Sequence, residues 1–257
     1  MSRGCSSAEI ITLLALLALA SCVPEGPATG DPGGAAPSTR NPAPVVPGGS
    51  RPAPATTAGA GEPISGVFQD DFERVALGPD WNALSPRWRI TSGRLCARGA
   101  RNRGIWLRRA LPTNAAIEFD AIAEAEVGDL KAELWGDGKS GATGTSYTNA
   151  TSYLAILGGW KNSKHVLARL DEHGEDRLEI DVDPESDDER ARAVAPGQVY
   201  RFRVERADGR TLRWSVNGAE LFELSDPDPL AGPGHEHLGF NDWDAPVCFD
   251  NLRVTPL

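Results

Sequence analysis

Two short stretches of this sequence carry carboxylates at strand spacing. In Glu118-Phe119-Asp120-Ala121-Ile122-Ala123-Glu124, the acids Glu118, Asp120 and Glu124 fall on one face of an extended chain, opposite Phe119, Ala121 and Ala123. In Lys131-Ala132-Glu133-Leu134-Trp135-Gly136-Asp137, the same alternation sets Lys131, Glu133, Trp135 and Asp137 against Ala132 and Leu134. An indole beside carboxylates suits a sugar: the ring stacks on the apolar face of a pyranose, and the acids bind its hydroxyls. Two acids also cleave a glycosidic bond when their carboxyl groups stand about 5–5.5 Å or about 6.5–9.5 Å apart. If the stretches form a hairpin, a tight two-residue loop sets Asp120 opposite Glu133 as such a pair. A four-residue loop sets Glu124 opposite Lys131 instead, an ordinary ion pair. Facing like charges cost stability, so the second register is favoured, and it leaves only a salt-bridged, solvated face.

Two loops repeat the combination of an indole with amide or acid groups, Gly158-Gly159-Trp160-Lys161-Asn162-Ser163-Lys164 and Asn241-Asp242-Trp243-Asp244. Loop aromatics are costly in water unless they pack or bind something. Trp160, Asn162, Asn241 and Trp243 therefore join Trp135, Asp120 and Glu133 as candidate ligand contacts, with packing on the domain rim as the plain alternative. His235-Glu236-His237 and His173 lack the spacing of a zinc site. The acid-rich stretch 181–189 lacks the glycine and order of an EF-hand loop. No phosphate-cradling loop or nucleophile elbow is present. The formal net charge of -10 argues against a nucleic-acid surface, which needs a basic footprint, and against electrostatic adhesion to anionic lipid.

The elements that must position these residues read as strands from Ile64 to the end. Short alternating runs recur between Gly, Asp, Asn and Pro. The clearest hairpin joins Tyr200–Glu205 to Leu212–Val216 through a turn containing Asp208-Gly209, and Asn217-Gly218 turns the chain again. No stretch beyond the N-terminus has a convincing helical period. A dozen or so short strands at this spacing predict an all-β fold, a two-sheet jelly-roll sandwich. Cys96 and Cys248 lie in an early and a late strand; they either form a disulfide or remain two buried thiols.

Four segments in order, Asp70-Asp71-Phe72, Trp88-Arg89-Ile90 with Gly93-Arg94-Leu95, Tyr200-Arg201-Phe202 with Leu212 to Gly218, and Phe249-Asp250-Asn251-Leu252-Arg253-Val254, resemble the concanavalin A-like lectin/glucanase superfamily. Their flavour is that of the laminin-G-like and 3-keto-disaccharide hydrolase-like jelly rolls of bacterial envelopes. The resemblance covers residues 64–257. It implies pairing of the first and last strands, and it allows a structural calcium near them through Asp70 and Asp250; no other cofactor is implied. Against the Glu-x-Asp-x-Glu strand of jelly-roll glucanases, Glu118-x-Asp120 departs at Ile122, where the third acid should stand. Glu124 is six residues from Glu118, about 20 Å along a strand. The superfold hosts lectins, hydrolases, lyases and inert modules. A carbohydrate or cell-envelope glycan is thus the expected partner. The alternatives are a glycan hydrolase or lyase using Asp120 and Glu133, and a module that meets another envelope protein.

Ahead of the strands, Arg3 and the apolar run Ile10 to Leu19 have the size of a signal-peptide core, too short for a hydrocarbon span. Leu19-Ala20-Ser21-Cys22 resembles the bacterial lipobox, which makes Cys22 the expected lipidation site. Residues 1–21 then form a lipoprotein signal peptide, and 22–63, rich in Pro, Gly and Ala, a disordered tether spanning roughly 35 Å. The expected location is the bacterial cell envelope, lipid-anchored, and Val23 rather than Asp after the cysteine points to the outer membrane. Replacing the acceptor, Cys22→Ser, should abolish incorporation of a clickable fatty acid and move the chain from the membrane to the soluble fraction. Continued labelling of the variant would reject the assignment.

Overall fold

The computed structural model describes residues 61–257, so Cys22, the signal peptide and all but the last residues of the tether lie outside the described residues. Among the described residues, fifteen strands form two antiparallel sheets. In chain order they are Phe68–Asp70 (β1), Trp81–Ala83 (β2), Arg89–Thr91 (β3), Arg94–Arg98 (β4), Ile105–Leu107 (β5), Ala115–Ala123 (β6), Leu130–Gly136 (β7) and Tyr153–Gly158 (β8). Lys164–Arg169 (β9), Leu178–Asp181 (β10), Val199–Arg206 (β11), Thr211–Val216 (β12), Ala219–Ser225 (β13), His237–Asn241 (β14) and Pro246–Pro256 (β15) follow. One sheet runs β13-β12-β11-β6-β15-β4-β3, with β1 added against β15; the other runs β10-β9-β8-β7-β14-β5-β2. The first and last strands pair, Phe68 opposite Val254. Among the described residues no helix is long and apolar enough to cross a membrane.

Strand alternation builds the core between the sheets. Phe119 and Ala121 of β6, Phe202 and Val204 of β11 and Phe249 of β15 point inward from one sheet, and Ala132, Leu134, Leu157 and Phe240 meet them from the other. Phe119 bridges the layers, 4.8 Å from Phe202 in its own sheet and 5.0 Å from Phe240 in the facing one.

Two expectations from the sequence are corrected by this topology. The strands β6 and β7 are consecutive but are not a hairpin. β6 pairs with β11 and β15, and β7 with β8 and β14, so the chain crosses from one sheet to the other between them. Neither the Asp120–Glu133 nor the Glu124–Lys131 register exists. Trp135 is the second correction. Its indole is fully buried in the core, because alternation breaks at this residue. The β7–β14 pairing shifts between His237 and Gly239, leaving Leu134 and Trp135 together opposite Leu238. Such a bulge re-aims a side chain, and Trp135 takes φ 52°, the left-handed region, so that both residues turn inward. Its Nε1–H donates to the Pro112 carbonyl at 3.1 Å, and the buried Arg206 guanidinium lies 3.9 Å over its ring. Trp135 is core, not a sugar platform.

Cys96 and Cys248 face each other across β4 and β15 and are joined by a disulfide. It closes a separation of 152 residues, so it removes much conformational freedom from the unfolded chain. A Cys96→Ala/Cys248→Ala variant should lose about 2–4 kcal/mol in urea unfolding. An unchanged midpoint, with thiol reagents showing the wild-type bond intact, would contradict that role.

Candidate functional site

Each sheet has an outer face, and the two differ in kind. On the eight-stranded sheet the outward residues of β6, β11 and β12 form ion pairs: Arg201 Nε to Asp120 at 2.9 Å, Arg203 to Glu118 at 3.1 Å and Arg213 to Glu223 at 2.8 Å. Asp120 also accepts a hydrogen bond from Asn251 Nδ2 at 2.9 Å, and these partners hold its carboxyl below its ordinary pKa although burial pulls upward. This is a salt-bridged surface with Asp120 tied down inside it.

Glu133 lies on the outer face of the other sheet, so the two acids stand on opposite sides of the sandwich and form no catalytic pair. Nor is Glu133 open to a ligand. The segment 137–152, between β7 and β8, folds back over the sheet. Tyr147 and Ala150 pack on Leu154, Ile156, Val166 and Ala168, and the Trp106 indole, flat over Gly136 and Gly239, donates to the Ser140 carbonyl at 2.9 Å. A Cβ at Gly136 would come within 2.5 Å of that indole, which is why these two positions carry none. Beneath this cap Glu133 has 0% exposure. Its carboxylate accepts from the Tyr147 hydroxyl at 2.8 Å, the Ser152 hydroxyl at 3.0 Å and Asn241 Nδ2 at 2.7 Å. Burial nevertheless pushes its pKa up to about 7, against the pull of these donors. Asn241 is also corrected. It is fully buried, with its amide oxygen taken by the Asp242 N–H at 2.8 Å, and holds Glu133 instead of meeting a ligand.

One part of this face stays accessible. A cleft of about 600 Å³ opens beside the cap, and both Trp160 and Trp243 line it. Ile156 and the buried Lys131 form its floor. Lys131 Nζ donates to Glu172 Oε2 at 2.8 Å and to Asn102 Oδ1 at 2.8 Å. Burial works against the charge on each partner, but the pair outweighs it: the Lys131 pKa is raised by Asp129 and Glu172, and the Glu172 pKa is lowered by Lys131. Asp129 differs, since burial leaves its carboxyl above the usual range. The exposed Val127 adds an apolar lip.

The indoles are held by residues that take no part in the cleft wall themselves or do so with other atoms. Trp160 sits in a left-handed turn, with φ 50°, 59° and 65° at Trp160, Lys161 and Asn162. Each such non-glycine residue costs about 1–2 kcal/mol. Asn162 offsets this cost: its Nδ2 donates to the Glu126 and Val194 carbonyls at 2.8 Å, and its Oδ1 accepts from Val194 N at 2.9 Å. Those bonds use up the amide, so Asn162 is a positioning residue, a correction to its reading as a ligand contact. Gly128 lets the neighbouring loop approach, since a Cβ there would lie 2.3 Å from the Gly158 carbonyl oxygen. Asp129 then accepts from Trp243 N at 2.6 Å. Arg177 lies 4.9 Å from the Trp160 ring and Arg101 4.7 Å from the Trp243 ring. Asp129 and Glu172 were not singled out from the sequence, and Lys131 was read only as an outward residue and a partner for Glu124; a lone Glu172 carries no distinguishing spacing.

The terminal aspartates do not converge on a metal. Asp70 is held by Arg74, 2.8 Å from Nη2, and by Trp81 Nε1 at 2.8 Å, while Asp250 lies 3.7 Å from Arg94. Arginine already supplies the positive charge at both, and among the described residues no group of three or more His, Cys, Asp or Glu is placed to hold an ion. The donor set does not fit calcium.

No family model matches the sequence. No curated protein matches it either. Among solved structures the fold is similar to part of a sialidase, with a TM-score of 0.50 and 13% identity over 76% of this chain. The chain spans 19% of that sialidase's length. A β-glucanase from Bacillus licheniformis has a TM-score of 0.49 at 11% identity, covering 75% of this chain and 99% of its own. A Bacillus subtilis protein of unknown function with a galectin-like fold has a TM-score of 0.47 at 12% identity, covering 74% and 94%. The fold they share is a two-sheet antiparallel jelly roll.

The raised pKa of Glu133 has a stability consequence. Its folded value, about 7, exceeds its ordinary value of 4.5, so its contribution is greatest below the lower value and is lost as pH rises to the upper one. Relative to Glu133→Gln, the wild type should lose on the order of 3 kcal/mol between pH 4.5 and pH 7 and stay level above pH 8. Parallel pH profiles of unfolding free energy for the two proteins would show that Glu133 does not titrate there.

Proposed function

We propose that this chain is a lipid-anchored protein of the bacterial cell envelope whose jelly-roll domain binds carbohydrate in the cleft between Trp160 and Trp243. The observation that carries the reading is the convergence of these two loop indoles on one cleft. They come from turns far apart in sequence, and both are partly exposed. Indole faces set over a hydrogen-bonding floor suit a sugar ring, whose C–H face is apolar and whose rim is hydroxyl. Lys131 at the floor, with Glu172 paired to it and Asp129 in the wall beside it, supplies donors and acceptors. The left-handed turn at Trp160 supports the same reading, because strained backbone persists where the surroundings over-determine it and gathers at binding sites.

The anchor is a proposal from the sequence around Cys22, and the acidic composition gives no other means of membrane adhesion. Cleavage of glycans is the weaker reading, since its two acids lie on opposite outer faces. Among the described residues, an interaction surface for another protein has no apolar patch comparable to the indole cleft to support it.

Binding is tested by screening the full chain on a glycan array and titrating the best glycan by calorimetry. Trp160→Ala and Trp243→Ala should each weaken binding about five- to thirtyfold, the loss of one stacking platform at about 1–2 kcal/mol. Asp120→Asn should leave it unchanged. No glycan bound at millimolar concentration, or equal affinity in the tryptophan variants, would overturn the reading.

A further inference from the structure

We infer that the cleft receives the end of a glycan chain and not an internal stretch of one; this rests on the carbohydrate reading above. A polymer that passes through a groove needs an open floor on both sides of the bound segment. Here the floor is confined to Lys131 on β7 and Ile156 on β8. One alternation step further along the same strands, Glu133 and Leu154 are fully buried under the 137–152 cap. Across the sheet the neighbouring outward residues are covered as well: Val166 on β9 and Asn241 on β14 have no exposed surface. The sheet is therefore closed on three of its four sides, and a chain that enters on the fourth, past Asp129 and Trp243, has no second way out along it.

What covers it is fixed in place. The cap contributes Thr145 and Ser146 to one wall of the cleft. The cap is fastened to Glu133 Oε2 by the Tyr147 and Ser152 hydroxyls, and a third time where Tyr147 N donates to Glu172 Oε1 at 3.0 Å. The opposite wall, Ala125 to Asp129, is tied to the Trp160 turn through Asp129 N to the Gly158 carbonyl at 2.8 Å and through Asn162. The cap wall cannot part to let a polymer through without leaving Glu133 unsatisfied. The recess, about 600 Å³, is in the range of sites that enclose one small ligand. A few terminal sugar rings can enter from solvent; the rest of the chain must leave by the way it came.

The test is competition binding with the full chain and neutral glucans, xylans, mannans and galactans, each intact and after partial acid hydrolysis to short oligomers. For the glycan recognised, potency per unit mass should follow the number of chain ends, so shortening chains tenfold should raise it about tenfold. The Trp160→Ala variant should lose this competition. Equal potency per mass for intact and shortened polymer would overturn end recognition while leaving the cleft as the binding site. Competition that persists in Trp160→Ala, or no binding by any preparation, would overturn the carbohydrate reading of this cleft and the inference with it.

Discussion

A carboxylate with no exposed surface has to be given hydrogen bonds, and Glu133 receives three, two of them from the segment that buries it. An unsatisfied buried charge is among the most costly groups a fold can contain. The cap, the sheet and the acid are thus mutually dependent: without Tyr147 and Ser152 the acid lacks partners, and without the acid two hydroxyls lose theirs. The neighbouring Lys131–Glu172 pair repeats the pattern at the edge of the cap, where it becomes the floor of the cleft. The carbohydrate site proposed for the protein follows from where this covering stops. It ends at Lys131 and Ile156, and the two partly exposed indoles stand at that boundary.

The two outer faces of the fold differ in how they carry charge. On the eight-stranded sheet, acids and arginines alternate and cancel one another near solvent, where such pairs contribute little each. On the seven-stranded sheet, charge is buried and organised around a recess. Presenting Trp160 from a left-handed turn fixed by Asn162 leaves the indole few alternatives to its bound orientation, and preorganisation of that kind lowers the entropy lost on binding.

Much of this was legible in the sequence, and the parts that were not share a cause. Alternation placed Phe119, Ala121, Ala132 and Leu134 inside and Glu133 and Lys131 outside, because period-two patterning depends only on local backbone geometry. It failed at Trp135, where a bulge adds one residue to β7; the adjoining Gly136 is the one local mark of it, and that glycine reads equally as the end of the strand. It also could not tell that β6 and β7 belong to different sheets, since consecutive strands with matching faces read as a hairpin whichever layer they join. The indoles of Trp160 and Trp243 were recognisable as unusual loop residues, but their meeting depends on long-range pairing. Asn162 and Asn241 were chosen for their amide chemistry; that chemistry is used, on backbone and on Glu133. The cap was the least legible element. The glycine-, serine- and threonine-rich run around Tyr147 reads as an ordinary loop, and only the buried Glu133 beneath it explains why it lies down.

The most direct measurement is the response of the seven tryptophan side-chain N–H signals to a bound oligosaccharide in nitrogen-15 NMR of the labelled protein. The account predicts that the Trp160 and Trp243 signals move on titration while those of the buried Trp106, Trp135 and Trp214 hold their positions. A glycan that binds and shifts the buried set, or leaves Trp160 and Trp243 untouched, would contradict it.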